Sequence, residues 1–223
     1  MTLRFDRGLC TVLSAAALSA ALAGCAPVVL GGAAVGSMMA LDRRTVGTQV
    51  EDEGIELRAG NRIRGAYGDK VHVNVTSYNR QVLLTGEVPS AEIRDAVEKS
   101  VAGVENVRSV VNELAVMSPT SLGQRSNDTY ITGKVRASLV DARDLSANSF
   151  KVVTERNTVY LMGRVSQREA GRATAIARNI SGVSKVVRVF EYLSDEDAAR
   201  IQAGQVVQPA DAPASGEAAR PAQ

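Results

Sequence analysis

Two similar segments carry the fold: VNVTSYNRQVLLTGEV at residues 73–88 and VVTERNTVYLMGRV at residues 152–165. Val71, Val73 and Val75 alternate with polar residues before the turn at Tyr78-Asn79-Arg80, which predicts a half-buried strand, a turn and a second strand. In both copies a helical stretch, a Gly-Val pair and a Val-rich strand follow. The chain therefore contains an internal repeat.

The repeat is about 75 residues long, which is too long for a solenoid period and fits two copies of a small domain. Each copy has the pattern α-β-β-α-β. Two helices can cover one face of a three-stranded sheet, so the predicted fold class is α+β, with two tandem domains.

Helix boundaries in the first copy follow from capping residues. Thr48 is predicted to cap a helix over residues 50–64. Ser90 is predicted to begin the second helix, and Gly103 to end it in the left-handed conformation. The apolar residues on one side of these two helices are Ile55 and Ile63, and then Ile93, Val97 and Val101.

The second copy has the same signals. Asn127 or Asp128 is predicted to cap its first helix, and Ser166 with Glu169 forms a capping box for its second. The buried stripes are predicted to be Ile131, Val135 and Leu139, and then Ala170, Ala173, Thr174 and Ala177. Gly86 and Gly163, inside strands, indicate a bulge or a close backbone approach to a helix.

The N-terminus has the pattern of a targeting segment. Arg4 and Arg7 precede an apolar run, Leu9 to Ala21, which is too short to span a bilayer. The sequence LAGC at residues 22–25 resembles the lipobox of bacterial lipoproteins, which implies acylation of Cys25, with palmitate among its chains. The alternatives are an ordinary secreted protein and an uncleaved helix continuing to Leu41.

Composition excludes several classes of function. The 223 residues carry a net charge of only +2, two Cys and one His, which argues against a disulfide scaffold, a Cys-rich zinc site and wholesale nucleic-acid binding. The charge is split, however. Residues 50–118 hold eight basic and eleven acidic residues, whereas residues 126–193 hold eleven basic and six acidic residues. An acidic domain is therefore followed by a basic one.

The repeat, with its Gly in the second strand and Gly-Val before the third, resembles the BON domain. A lipobox followed by two such domains resembles the dual BON-domain outer-membrane lipoproteins, and most closely their lipid-binding members associated with division and outer-membrane stress. The segments that carry the resemblance are DRRTVGTQV at residues 42–50, SNDTYIT at residues 126–132 and VYLMGRV at residues 159–165. Ala26, after the cysteine, resembles an outer-membrane sorting signal.

The resemblance gives the predicted domain organisation: a signal peptide at 1–24, lipidated Cys25 and a Gly/Ala-rich tether at 25–47, BON domain 1 at 48–117, a linker at 118–126, BON domain 2 at 127–193 and a disordered tail at 194–223. It implies a protein anchored in the outer membrane and facing the periplasm. It also implies that the second BON domain binds anionic phospholipid, of the phosphatidylglycerol or cardiolipin class, and that this supports envelope integrity at the division site.

In that family the first helix of the second domain makes the lipid contact, and its aromatic residue corresponds here to Tyr130. Tyr130 and Lys134 lie four residues apart and share a helix face, an arrangement that suits a headgroup boundary. The predicted lipid-binding residues are Ser126, Asn127, Thr129, Tyr130, Thr132, Lys134 and Arg136. In the alternative interpretation Tyr130 packs on its own domain and Lys134 is merely solvated.

No catalytic motif is found, and no cofactor or metal is predicted; His72 is expected to be a surface residue without a carboxylate partner. The protein is therefore predicted not to be an enzyme. A second hypothesis is a periplasmic protein–protein adaptor for the outer-membrane protein assembly machinery, and a hydrolase is a third.

Overall fold

The structure is a computed structural model that describes residues 42–202. The predicted signal peptide, Cys25, most of the predicted tether and the end of the predicted tail lie outside the described residues. Within residues 42–202, no helix is both long enough and apolar enough to cross a membrane.

The two predicted domains are both present, in the predicted order of elements. The first consists of α1 (Val46–Tyr67), β1 (His72–Tyr78), β2 (Gln81–Val88), α2 (Ala91–Ala102), β3 (Ser109–Asn112) and the short β4 (Ala115–Val116). The second consists of α3 (Leu122–Asp141), β5 (Phe150–Glu155), β6 (Thr158–Val165), α4 (Gln167–Arg178) and β7 (Lys185–Tyr192), and is followed by α5 (Asp195–Gln202). The α+β class with two α-β-β-α-β domains is confirmed.

The two sheets share one topology. The central strand, β2 or β6, pairs antiparallel with the strand before it and parallel with the strands after its helix. Asn79-Arg80 and Arg156-Asn157 form the two-residue hairpin turns, and all four residues have positive φ. Such turns match the twist of the strands they join, which explains why both copies place an Asn there.

Two of the predicted helix starts were wrong. Thr45, not Thr48, caps α1: its Oγ1 accepts a hydrogen bond from the Thr48 backbone N–H at 3.1 Å. Ser121, not Asn127 or Asp128, caps α3, so this helix begins inside the predicted linker. Both helices begin earlier than their apolar stripes, because their first turns are exposed and need no buried residue. The capping box of Ser166 and Glu169 is confirmed.

The glycine predictions need correction. Gly103 ends α2 at φ −86°, which is not left-handed. Gly86 has φ +110°, and a Cβ there would lie 2.1 Å from the carbonyl oxygen of His72. At Gly163 the corresponding distance to the Ser149 carbonyl oxygen is 2.4 Å. The close approach is therefore to the end of the neighbouring antiparallel strand, and not to a helix.

The first part of the predicted disordered tail is a helix, so the prediction was wrong for these residues. Residues 195–202 form α5, and the Oγ of Ser194 accepts a hydrogen bond from the Asp197 backbone N–H at 3.0 Å. Three acidic residues in the first turn complement the positive end of the helix dipole.

Each domain has its own core between its helices and one face of its sheet. The first contains Ile55, Ile63, Val97 and Val101 as predicted, together with Ala59, Val82, Leu84, Val88, Val104 and Leu114. The second contains Ile131, Val135, Leu139, Ala170, Ala173 and Ala177, with Phe150, Val152, Val159, Leu161 and Val165 from the strands. The small residues of α4 are buried, as predicted.

A third apolar cluster joins the two domains. Tyr78 and Leu83 of the first sheet pack with Tyr160, Met162 and Val189 of the second, on the sheet faces that carry no helices. The two central strands are therefore buried on both faces, which explains their nearly continuous apolar sequences. The domains form one compact unit, with helices on its two outer sides.

A buried ion pair adds to this contact. Arg43, ahead of α1, donates two hydrogen bonds of 2.7 Å to the Glu169 carboxylate, and a third of 2.9 Å to the carbonyl oxygen of Arg164. Burial alone raises the pKa of Glu169, but hydrogen bonds from Arg43 and the Ser166 backbone N–H outweigh it and hold that pKa below its ordinary value. The segment before the first domain is thus fastened to the second.

Gly86→Ala is expected to lower the free energy of unfolding by at least about 2 kcal/mol, because the residue has positive φ and no space for a Cβ. Gly65→Ala is the matched control. It lies in exposed helix with nothing near a new Cβ, and is expected to raise stability by roughly 0.5–1 kcal/mol. Denaturant unfolding of both variants measures this, and equal stability of the two would contradict the stated role of Gly86.

Arg43→Ala is expected to cost roughly 3–5 kcal/mol, because it leaves the Glu169 carboxylate buried without its cation. Arg94→Ala, which removes an exposed pair with Asp95, should cost less than about 1 kcal/mol. Because the pKa of Glu169 is lowered by folding, the wild-type pair contributes fully at neutral pH and its contribution declines as the pH falls through that lowered pKa. The difference between wild type and Arg43→Ala, measured by denaturant unfolding, should therefore shrink in acid.

Candidate functional site

The outer face of α3 carries exposed apolar side chains. Leu122, Tyr130 and Val140 are 79%, 66% and 68% exposed. The helical period places them on one side, opposite the buried stripe of Ile131, Val135 and Leu139. The remaining members of this α3 outer stripe are small: Ser126, Gly133 and Ala137. Because these side chains are short, the larger three project from a nearly flat surface.

Tyr130, a member of this stripe, forms a pair with Lys134 at the edge of the stripe. The Lys134 Nζ lies 4.6 Å from the centroid of the Tyr130 ring, within cation–π range. The same ammonium donates a hydrogen bond to the carbonyl oxygen of Ser181, in the loop after α4. The helix therefore holds an aromatic ring and a positive charge together at its surface.

The other predicted lipid-binding residues divide into two groups. Ser126, Asn127, Thr129 and Arg136 are exposed. Thr132 is half-buried, and its hydroxyl donates to the Thr154 hydroxyl of β5 at 2.8 Å. The structure thus brings Ser126, Tyr130 and Lys134 together along the outer side of α3 and turns Thr132 towards the sheet.

Polar contacts tie three of the exposed residues to their surroundings. The Asn127 side chain donates to the Asn157 side chain at 3.0 Å, and the Thr129 hydroxyl to the Arg125 carbonyl oxygen at 3.0 Å. Arg136 donates to the Val152 carbonyl oxygen at 3.4 Å. These contacts hold Asn127 against the second hairpin turn, Thr129 against its own helix and Arg136 against β5.

Asp128 has a structural role in place of the predicted cap. Its two carboxylate oxygens accept hydrogen bonds of 2.9 Å from the backbone N–H groups of Arg156 and Asn157, in the second hairpin turn. In the first domain Asp52 accepts from the corresponding turn, at Asn79 and Arg80. A signal existed in the sequence, since each Asp lies three residues before the first buried Ile of its helix.

Leu122 and Val140 were missed in the sequence analysis. They lie near the ends of α3, outside the segment that carries the family resemblance. Their spacing on the face opposite Ile131 and Leu139 was the signal that could have found them.

His72 is half-buried and has a carboxylate partner, whereas the prediction was a surface residue without one. Its Nδ1 lies 2.9 Å from Glu87 Oε2, because antiparallel pairing sets the two residues opposite each other on β1 and β2. The sheet-to-sheet contact adds Glu155 of the second domain. One nitrogen or oxygen atom of each residue lies within 4.8 Å of the others, which is a possible set of metal ligands.

The surroundings of Glu155 favour its neutral form. Burial raises the pKa of Glu155, the hydrogen bond from Asn74 lowers it, and the charge of Glu87 raises it again, with a raised pKa as the net result. Arg156 lies 3.6 Å from Glu87 Oε1. A cavity of about 390 Å³, lined in part by His72, Asn74 and Glu155, adjoins the cluster.

The chain consists of two joined α-β-β-α-β domains, and the first helix of the second domain carries an aromatic–cation pair. This architecture places the protein among those with tandem domains of one small fold. The BON domain family matches residues 51–118 and 127–194, and the chain belongs to that family. It is 42% identical over 175 residues to the outer membrane lipoprotein DolP of Haemophilus influenzae, which covers 77% of this chain and 90% of that protein. It is therefore a dual BON-domain, DolP-like lipoprotein.

Other relatives share less of the chain. A 21 kDa hemolysin of Actinobacillus pleuropneumoniae is 34% identical over 155 residues, which is 69% of this chain and 80% of that protein. The osmotically-inducible protein Y of Escherichia coli is 32% identical over 117 residues, or 51% of this chain and 58% of that protein.

Proposed function

We infer that the protein is a non-enzymatic outer-membrane lipoprotein facing the periplasm, and that it binds anionic phospholipid through α3 of its second BON domain. The observation that carries the proposal is the pair formed by exposed Tyr130 and half-buried Lys134 on the outer side of α3. The name of the Haemophilus influenzae relative supports the outer-membrane location.

The shape of α3 suits shallow contact with a bilayer. Leu122, Tyr130 and Val140 can enter the boundary between headgroups and acyl chains, where a Tyr ring is favoured. The small residues between them let the helix lie close to the surface. Arg125 and Arg136 on one flank and Lys134 on the other can meet phosphate groups.

Because of charge and tethering, a weak contact between α3 and the bilayer would be enough to keep the second domain at the membrane. The second domain has an excess of five basic residues, and a basic residue near an anionic leaflet contributes about 1 kcal/mol. Acylated Cys25 would hold the domain near the membrane, since residues 26–41 span at most about 55 Å when fully extended. Tethering then turns lipid binding into an event at high effective concentration. We further propose that this binding supports envelope integrity at the division site.

Tyr130→Glu combined with Lys134→Glu should abolish binding of residues 42–223 to vesicles containing phosphatidylglycerol. This part has no acyl anchor, and it contains all three apolar clusters. The double variant places two negative charges against an anionic surface, at one exposed and one half-buried position on the outer side of α3. Vesicle flotation measures binding. Glu53→Lys on the exposed side of α1 is the control for a change of charge. Undiminished binding by the folded double variant would refute the assigned surface.

Tyr130→Trp should give a blue-shifted fluorescence emission with anionic vesicles but not with phosphatidylcholine vesicles. The chain has no Trp, so the introduced indole is the single reporter. Its ring should leave water for the headgroup boundary. Tyr192→Trp, at the half-exposed end of β7, is the matched control and should show no lipid-dependent shift. An equal shift at both positions would mean that α3 is not the contact surface.

The adaptor function is the second candidate, and one observation favours it. Val46, Val50 and Leu57 are exposed on the outer side of α1, in the acidic domain. Such a stripe suits a protein partner better than an anionic membrane. Crosslinking from Leu57 in intact envelopes would yield a specific protein adduct if this candidate is right, and that adduct would survive Tyr130→Glu with Lys134→Glu.

A further inference from the structure

We propose that His72, Glu87 and Glu155 form a binding site for one divalent transition-metal ion, of which Zn²⁺ is the best fit, and that the bound ion joins the two BON domains. The proposal concerns a surface separate from the α3 outer stripe and does not depend on lipid binding.

The ligand types select the class of ion. One imidazole and two carboxylates form a mixed nitrogen–oxygen set, which suits Zn²⁺ better than Mg²⁺ or Ca²⁺. Three protein ligands leave a fourth tetrahedral position for water, and the adjoining cavity gives access from solvent. The cavity is lined by His72 and Glu155, so two of the three ligands can be reached from it.

Geometry brings the ligand atoms close to the required spacing. Tetrahedral Zn²⁺ with bonds of about 2.0–2.1 Å separates its ligand atoms by about 3.3 Å. His72 Nδ1 and Glu87 Oε2 are 2.9 Å apart, and the set including Glu155 lies within 4.8 Å. Rotation of the Glu155 side chain can close the remaining gap, and the ion would then replace the 2.9 Å hydrogen bond that Glu155 Oε2 accepts from Asn74 Nδ2.

An incompletely satisfied carboxylate supplies the second, independent observation. Glu87 is fully buried, yet its Oε1 accepts no hydrogen bond from any of the residues that the structure describes. The nearest positive group, Arg156 Nε, is too distant for a hydrogen bond and is itself unsatisfied. The other oxygen of this carboxylate, Oε2, accepts hydrogen bonds from the Thr120 backbone N–H at 3.1 Å and the Thr120 hydroxyl at 3.4 Å. Oε1 is therefore the oxygen that lacks a partner, and a buried oxygen without one fits a missing ligand.

The charge balance points the same way. Glu87 and Glu155 bring two negative charges, and Arg156 neutralises one of them. Asp128 is held by backbone N–H groups, and Arg125 donates to Thr120. A divalent cation in the cluster would replace the proton between His72 Nδ1 and Glu87 Oε2. It would also offset the repulsion between the two carboxylates. Since Glu155 belongs to the second domain and the other two ligands to the first, the ion would connect the domains.

The single histidine makes the site directly observable. The full chain, purified in neutral detergent micelles with a tag lacking histidine and stripped of metal, is titrated with Zn²⁺ alone. The expected result is one ion per chain by calorimetry and a large change in the His72 ring ¹⁵N resonances, which need no assignment because the chain has no other His.

Glu155→Gln keeps the size of the side chain and the hydrogen-bond acceptor for Asn74, and should weaken Zn²⁺ binding at least tenfold. His72→Gln should do the same. Glu53→Gln, on the exposed side of α1, is the matched control and should leave the affinity unchanged. The proposal is overturned if Zn²⁺ leaves the wild-type His72 resonances unmoved, or if Glu155→Gln binds as tightly as Glu53→Gln. The resonance measurement on wild type decides the matter even if both ligand variants fail to fold.

Discussion

Tyr78 and Leu83 of one sheet pack against Tyr160, Met162 and Val189 of the other, and the arrangement of the rest of the molecule follows from this contact. In each of these sheets the face without helices is also apolar, and in an isolated domain it would be exposed to water. Here each sheet covers the other, so neither domain has to expose this face. As a consequence, all long helices lie on the outside of the molecule, and their outer sides face solvent.

The same packing separates the proposed lipid-binding surface from the proposed metal site. The α3 outer stripe faces away from the contact, where a membrane can reach it. His72, Glu87 and Glu155 lie at the edge of the contact, where groups from both domains meet. The internal repeat produced two related first helices, and their outer sides have diverged. On α1 the exposed apolar residues accompany acidic neighbours, whereas α3 combines Tyr130 with Lys134. A duplicated fold can therefore present different surfaces on its two copies.

The sequence predicted the fold well because hydrophobic period and turn chemistry are local signals. The repeat, the buried stripes of the helices and the capping box of Ser166 followed from spacing alone. Helix starts at Thr45 and Ser121 were missed, since a solvated first turn has no apolar pattern. The exposure of Tyr130 and its contact with Lys134 agree with the predicted surface, but lipid binding itself stays a prediction. The cluster around His72 could not be predicted, because Glu87 reaches it through strand register and Glu155 only through contact between domains.

The position of Arg43 determines how the molecule responds to mechanical load. If Cys25 is anchored, a pull between the membrane and the protein enters the described structure near Asp42. The buried pair of Arg43 and Glu169 would pass part of that force into α4 of the second domain. Arg44, which donates hydrogen bonds to both Asp42 and Asp52, would pass another part into α1. A load applied at the anchor would therefore be divided between the two domains.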